Sequence, residues 1–259
     1  HIDSILDTKL SKLKEINIGS QDIDISSGAR TGAISSEMIL DFDCKFSIIG
    51  HSERRQFFNE KNEEINIGSQ DIDISSGART GAISYEMILD FDCKFSIIGH
   101  SERRQFFNEN NHEIKQKILK IANKTLTILC VGETEEENKN DQTKDVLKRQ
   151  LEVIKDIEFN DSLVIAYEPV WAIGTGNTPT PDKINEIHKF IKDVVQSFSD
   201  NSAIPMVLYG GSVNQENAEN FFKEESVDGA LIGGASLDGR QFANIINIFN
   251  GINLKWLLF

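Results

Sequence analysis

The chain has 259 residues, with 27 basic against 41 acidic side chains and a formal net charge of −14. That balance excludes nucleic acid and anionic membrane surfaces as general partners, so an anionic ligand has to be held by local positive potential. The length suits a single α/β barrel domain over residues 1–259. Cys44, Cys93 and Cys130 are too few for a disulfide framework, and the first two occupy the same place in a repeated segment, which fits a reducing, cytoplasmic setting. No stretch reaches transmembrane length, and the N-terminus has neither the basic nor the apolar region of a secretory signal. The chain opens on His1 and its first methionine is Met38, so further sequence is expected upstream.

Ile2, Ile5, Leu6, Leu10 and Leu13 recur at helical spacing and predict an opening helix over 1–14. Residues 15–60 then recur as residues 64–109, and of these 46 positions only one differs, Ser36 against Tyr85. Repeat architectures keep a pattern while exposed positions drift. Here exposed Asp, Asn and Arg are identical too, as in a recent tandem duplication, an engineered duplicate or an assembly error. Each copy reads as a strand INIGSQ, a glycine-bearing loop SSGARTG, a helix from Ser35 or Ser84, a strand FSIIGH and the start of another helix.

The alternation continues. His112–Lys124 predicts a helix with Ile114, Ile118, Leu119 and Ala122 on one face. Leu126–Val131 reads as a strand, and Thr134–Ile157 as one long helix closed by Val146, Leu147, Leu151 and Ile154. Ser162–Tyr167 is short and continuously apolar, as in a parallel strand covered on both faces. Thr180-Pro181-Asp182 supplies an N-cap, a first-turn proline and a first-turn acid to a helix burying Ile184, Ile187, Phe190, Ile191 and Val194. Strand Pro205–Gly210, helix Gln215–Lys223, strand Gly229–Ile232 and helix Arg240–Phe249 follow. Strands begin near Ile16, Phe46, Ile65, Phe95, Leu126, Leu163, Pro205 and Gly229, and eight parallel units imply a TIM-type (β/α)8 barrel.

The chemistry gathers at strand ends. In AYEPVWAIGTG (166–176), Glu168 ends a buried strand and is followed at once by a loop whose Gly174 and Gly176 can hinge. A carboxylate desolvated at a barrel mouth is suited to take a proton from a carbon beside a carbonyl. His100 ends the strand FSIIGH and precedes a helical stretch whose N-terminus disfavours its cation, so the neutral ring can donate a hydrogen bond to a substrate oxygen. His51 has the same local setting in the first copy, whereas His1, His112 and His188 lack it and read as surface groups. Gly174, Gly211-Ser212 and Gly233-Gly234 follow successive strands and offer backbone amides to a phosphate dianion.

FSIIGHSERRQFF (95–107), ILCVGE (128–133), AYEPVWAIGTG, VLYGGSV (207–213) and ALIGGASL (230–237) together resemble the triosephosphate isomerase family, nearly unbroken from about Glu64 to about Asn250. The resemblance implies an enzyme of glycolysis and gluconeogenesis that interconverts dihydroxyacetone phosphate and glyceraldehyde 3-phosphate through an enediolate. It implies Glu168 as base, His100 as electrophile, Glu102 as the acid beside it, and a phosphate site at Gly174, Ser212, Gly233 and Gly234, with no metal or organic cofactor. It also implies a homodimer in which the SSGARTG loop carries Thr80 toward the partner's site, although Ala33 and Ala82 stand where the family commonly has an acid. Arg103 and Arg104 are expected in structural ion pairs.

The chain departs from the family before Glu64. By that resemblance it begins inside the second helix of the family pattern, so the barrel is expected to be irregular or incomplete in its N-terminal quarter, and no strand ends in the family's Asn-x-Lys. Asn59-Glu60-Lys61 and Asn253-Leu254-Lys255 match by letters only, and Gln21 falls where the Lys belongs if the first copy fills the barrel wall. Two other readings therefore stay open: a phosphate-binding remnant or engineered duplicate without turnover, and a six-strand fragment on which the duplicated pair never docks.

Overall fold

The computed structural model describes residues 19–20, 46–47, 67–77, 79–159, 161–173, 178–198 and 204–252. The chain divides into two compact units, His1–Ile65 and Asn66–Phe259. In the first, β1 (Gly19–Ser20) pairs in parallel with β2 (Phe46–Ser47), Gly19 opposite Phe46. The expected opening helix, the helix from Ser35, His51, Gln21 and Cys44 lie outside the described residues.

The second unit carries a six-stranded parallel sheet. Its strands, β3 (Gly68–Ser69), β4 (Phe95–Ile98), β5 (Leu126–Val131), β6 (Leu163–Tyr167), β7 (Met206–Tyr209) and β8 (Gly229–Ala230), lie side by side in chain order. The described strands thus divide into ladders of two and six. Gly68 pairs opposite Phe95, the register seen for Gly19 and Phe46. The central strands read as unbroken apolar runs because both faces are covered. One face packs Ile98, Leu129, Val131, Ile165, Tyr167, Val207 and Tyr209 against the helices, and the other joins Ile128, Cys130, Val164, Ala166 and Leu208.

Among the described residues, eight α-helices accompany the sheet. α1 (Tyr85–Asp90) starts after Ser84, and α2 (Ser101–Phe106) starts at once after His100. α3 (Asn111–Ile121) opens on a capping box between Asn110 and Glu113. It buries Ile114 and Ile118, but Leu119 is exposed rather than on the core face.

The predicted long helix 134–157 is broken into α4 (Glu135–Lys139), α5 (Thr143–Leu151) and a 3-10 turn at Glu152–Ile154. Asn140 ends α4, and Asp141 takes the left-handed conformation with φ 56°, which Asx residues tolerate better than others. The apolar period survives the break, since Val146, Leu147, Leu151 and Ile154 are all buried.

α6 (Pro181–Gln196) starts on the Thr180 cap and buries Ile184, Ile187 and Ile191, while Phe190 and Val194 are half-buried at its margin. α7 (Ala218–Phe222) and α8 (Gly239–Ile252) complete the unit. His112 is exposed as expected, but His188 is wholly buried on α6, edge-on to Tyr167 with 5.9 Å between ring centroids.

Candidate active site

The parallel sheet sends every strand's C-terminal end to one side, and the chemically suited residues stand there. Glu168 follows β6 directly, its amide donating to Val131 O (2.8 Å) and so continuing the ladder to β5. His100 follows β4 after Gly99, whose φ of +72° turns the strand sharply into α2. A cleft of 1460 Å³ is lined by His100, Glu102, Glu168, Ser212, Gly233 and Gly234 among others. Six of the seven residues expected at the site therefore share one space, and Gly174 lies outside the described residues.

His100 Nε2 lies 3.0 Å from Glu168 Oε1. The amide of Glu102 donates to His100 Nδ1 at 3.3 Å, and the amide of Ser101 donates to Glu168 Oε2 at 3.1 Å. A ring nitrogen that accepts from an amide carries no proton, so the geometry fits a neutral imidazole whose Nε2–H donates to the carboxylate. The hydrogen bond with Glu168 is also why the His100 pKa is raised, against the lowering effect of burial. This differs from the expectation drawn from the helix N-terminus alone, because the carboxylate partner outweighs the helix end. Glu102 contributes its backbone; its side chain is exposed.

Glycines make room for the base. A Cβ on Gly132 would meet Glu168 O at 1.8 Å, and one on Gly210 would meet Glu168 Cγ at 2.8 Å. Glu168 is 2 % exposed.

Glu133, the last letter of ILCVGE, is a member of the site that the sequence reading left without a role. It is wholly buried and accepts from Tyr167 Oη (3.2 Å to each carboxylate oxygen) and Trp171 Nε1 (2.8 Å), while its carbonyl accepts from the Val170 amide (3.0 Å). Burial raises its pKa. A charged residue ending a buried strand was the available signal. Glu133 clasps the 3-10 turn Val170–Ala172 that leads into the glycine loop. Ser212 holds the same turn from the other side, its hydroxyl donating to Ala172 O at 2.6 Å. Gly233 O accepts from the amide and hydroxyl of Ser236, which fixes the turn Gly234–Leu237.

Arg103 forms the expected ion pairs, with Asp71 (2.9 Å) and Glu109, in a cluster completed by Lys117. Arg104 does not, and among the described residues its guanidinium meets only uncharged oxygens. Thr80 is exposed within the turn closed by the Ala82 amide donating to Arg79 O. Among the described residues no group of three or more His, Cys, Asp or Glu is placed to hold a metal ion.

The family model described as "Triosephosphate isomerase" matches residues 4–70 and 61–249. A protein named triosephosphate isomerase from Legionella pneumophila (strain Paris) is 44% identical over 246 residues, covering 92% of this chain and 78% of the relative. A relative of the same name from Geotalea uraniireducens (strain Rf4) is 45% identical over 254 residues, covering 94% and 81%. One from Baumannia cicadellinicola is 46% identical over 239 residues, covering 89% and 73%. With the matched segments taking in nearly all of the chain, both copies of the duplicated stretch included, this protein belongs to the triosephosphate isomerase family.

Proposed function

We propose that this chain catalyses the interconversion of dihydroxyacetone phosphate and glyceraldehyde 3-phosphate. The observation that carries the reading is the pairing of a buried carboxylate with a ring nitrogen 3.0 Å away, at the wall of a cleft lined by glycine loops, in a member of this family.

In the ketose-to-aldose direction Glu168 takes a proton from the carbon bearing the hydroxyl, and the electron pair moves into the carbonyl to give an enediolate. His100 Nε2–H donates to the oxygen on which charge develops. The proton of the first carbon's hydroxyl passes to the developing oxyanion by way of His100 Nε2, and return of the carbon-derived proton from Glu168 to the neighbouring carbon then gives the aldose and restores the carboxylate. Backbone amides around Gly174, Ser212, Gly233 and Gly234 hold the phosphate, a role that suits glycines because backbone can approach the dianion closely. Main-chain donors also suit a chain whose net charge is strongly negative. The step belongs to glycolysis and gluconeogenesis by its family, in a homodimer and in the cytoplasm. The exposed Thr80 and the exposed Phe106 and Phe107 are consistent with a subunit contact. No helix of the described residues is long and apolar enough to cross a membrane.

One observation favours the second reading, a barrel that binds phosphate without turnover: no described strand ends in Asn-x-Lys. Loss of one transition-state charge contact lowers rate on the order of 100-fold or more. A coupled isomerisation assay on the purified chain decides between them. Turnover that disappears in Glu168→Gln supports the enzyme, while calorimetric binding of a phosphorylated enediolate mimic without measurable turnover supports the binder.

A further inference from the structure

From the contacts of α2 and α3 we infer that Arg104 is a positioning residue for the reaction, its guanidinium holding the turn that aims His100. The inference rests on the function proposed above for His100. Arg104 Nε donates to Gly99 O (2.8 Å), Nη2 to Cys130 O (3.2 Å) and Nη1 to Asn111 Oδ1 (2.8 Å). One planar fork thereby ties the ends of β4 and β5 to the first residue of α3.

The carbonyl of Gly99 belongs to the peptide unit that carries the His100 amide, so one of the two shorter bonds acts next to the electrophile. Gly99 is left-handed, and a Cβ there would come within 3.2 Å of Arg104 Nη2 and 3.0 Å of Ile114 Cδ1. The turn is therefore set by a specific guanidinium packed over a specific glycine. Asn111 is itself fixed, its Nδ2 donating to Arg149 O at 3.2 Å.

Partly buried arginines of this kind ordinarily find a carboxylate. This one makes no ion pair among the described residues, and the charged or ionisable groups that act on it, Cys130, Glu168 and Glu109, do so at longer range. Its hydrogen-bonding capacity goes to strand-end carbonyls instead, which is the use that distinguishes a fork from a point charge. Lysine keeps the charge but cannot reach three acceptors lying in different directions.

The experiment compares Arg104→Lys, Arg104→Gln and Asn111→Ala with the unaltered chain. It reads kcat and KM for glyceraldehyde 3-phosphate, and the nitrogen-15 resonances and titration midpoint of His100. Both Arg104 variants are expected to lose on the order of 10-fold or more in kcat with KM within about threefold, because a displaced catalytic group slows chemistry more than binding. His100 titration is expected to move downward as the ring leaves Glu168. Asn111→Ala, which leaves the arginine in place but unbraced, is expected to move the same readouts in the same direction by less.

A kcat within twofold of the unaltered chain and an unmoved His100 resonance in Arg104→Lys overturn the inference. Should neither Arg104 variant fold, an unmoved His100 resonance in Asn111→Ala overturns it alone. Absence of turnover in the unaltered chain counts against the function proposed for the site, and the His100 resonances then judge Arg104 without it.

Discussion

Glu168 and His100 are each other's hydrogen-bond partner, Oε1 to Nε2 at 3.0 Å. The carboxylate holds the ring's pKa above its ordinary value, so removing that charge has a definite sign. In Glu168→Gln the His100 titration midpoint, followed by proton NMR, is expected to fall. The stabilisation that Glu168 gives the imidazolium is present below the unfolded histidine value near 6.5 and fades as pH rises through the folded one. The difference in stability between the two proteins is therefore expected to be larger at pH 5.5 than at pH 8. An unchanged midpoint means that the two side chains do not meet in solution.

Trp171→Phe removes one donor from a buried carboxylate and leaves Tyr167 Oη to serve Glu133. The expected cost is about 1–3 kcal/mol at neutral pH. Burial raises the Glu133 pKa, so this group's contribution to stability is present below the ordinary carboxylate value and lost as pH rises through the folded one. Losing a donor to the ionised form steepens that loss. Urea melts of the two proteins are expected to converge as pH falls from 8 to 5, and curves that run parallel contradict the assignment.

Gly132→Ala and Gly210→Ala are expected to fail differently. The Cβ of the first meets the Glu168 main chain, which cannot yield without breaking the ladder between β5 and β6. A destabilisation of about 3 kcal/mol or more is expected. The Cβ of the second meets Glu168 Cγ first, at 2.8 Å, with Tyr167 O at 3.3 Å, so a smaller fall in melting temperature is expected while kcat drops on the order of 10- to 100-fold. Thermal melts beside the isomerisation assay separate the two cases.

His188 sets an acid limit on stability. Burial lowers its pKa to about 3, and neither ring nitrogen has a hydrogen-bond partner of full geometry, although the Ser226 and Val207 backbones lie nearby. A depressed folded value means that the neutral ring contributes its full stability above about 6.5, and that this is lost as pH falls from there toward 3. The slope from this group is about 1.4 kcal/mol per pH unit. His188→Phe is expected to flatten the acid limb of a stability profile by about one proton; an unchanged slope means the ring titrates normally in the folded chain.

The sheet order, the helix starts and the convergence of His100, Glu168, Ser212 and the last glycine pair were legible because each depends on local pattern. Apolar runs gave the strands, Ser, Thr and Asn gave the caps, and parallel topology put successive strand ends on one side. Position 188 was misread because it falls one residue beyond Ile187, and a polar residue at the flank of an apolar stripe carries no sign of its burial. The break at Asn140–Asp141 was missed because the apolar period runs on past it. Arg104 was assigned an ion pair on residue type alone, and no periodicity reports that its acceptors are strand-end carbonyls. Glu133 was quoted within a motif yet given no task, since its partners Tyr167 and Trp171 are 34 and 38 positions away.

Gly19 faces Phe46 as Gly68 faces Phe95, so the pattern of cross-strand bonds gives the chain no means of telling its two copies apart. Selection between them falls to what lies beyond that pattern. One element is the ring of Tyr85, which lies 4.2 Å from Lys124 Nζ and packs against the core, a contact that Ser36 cannot reproduce. The other is the direct run from Phe107 through the Asn110 cap into α3. Exchanging serine and tyrosine between positions 36 and 85 sets those two influences against each other, and the histidine that the fold then puts to work shows which of them is stronger.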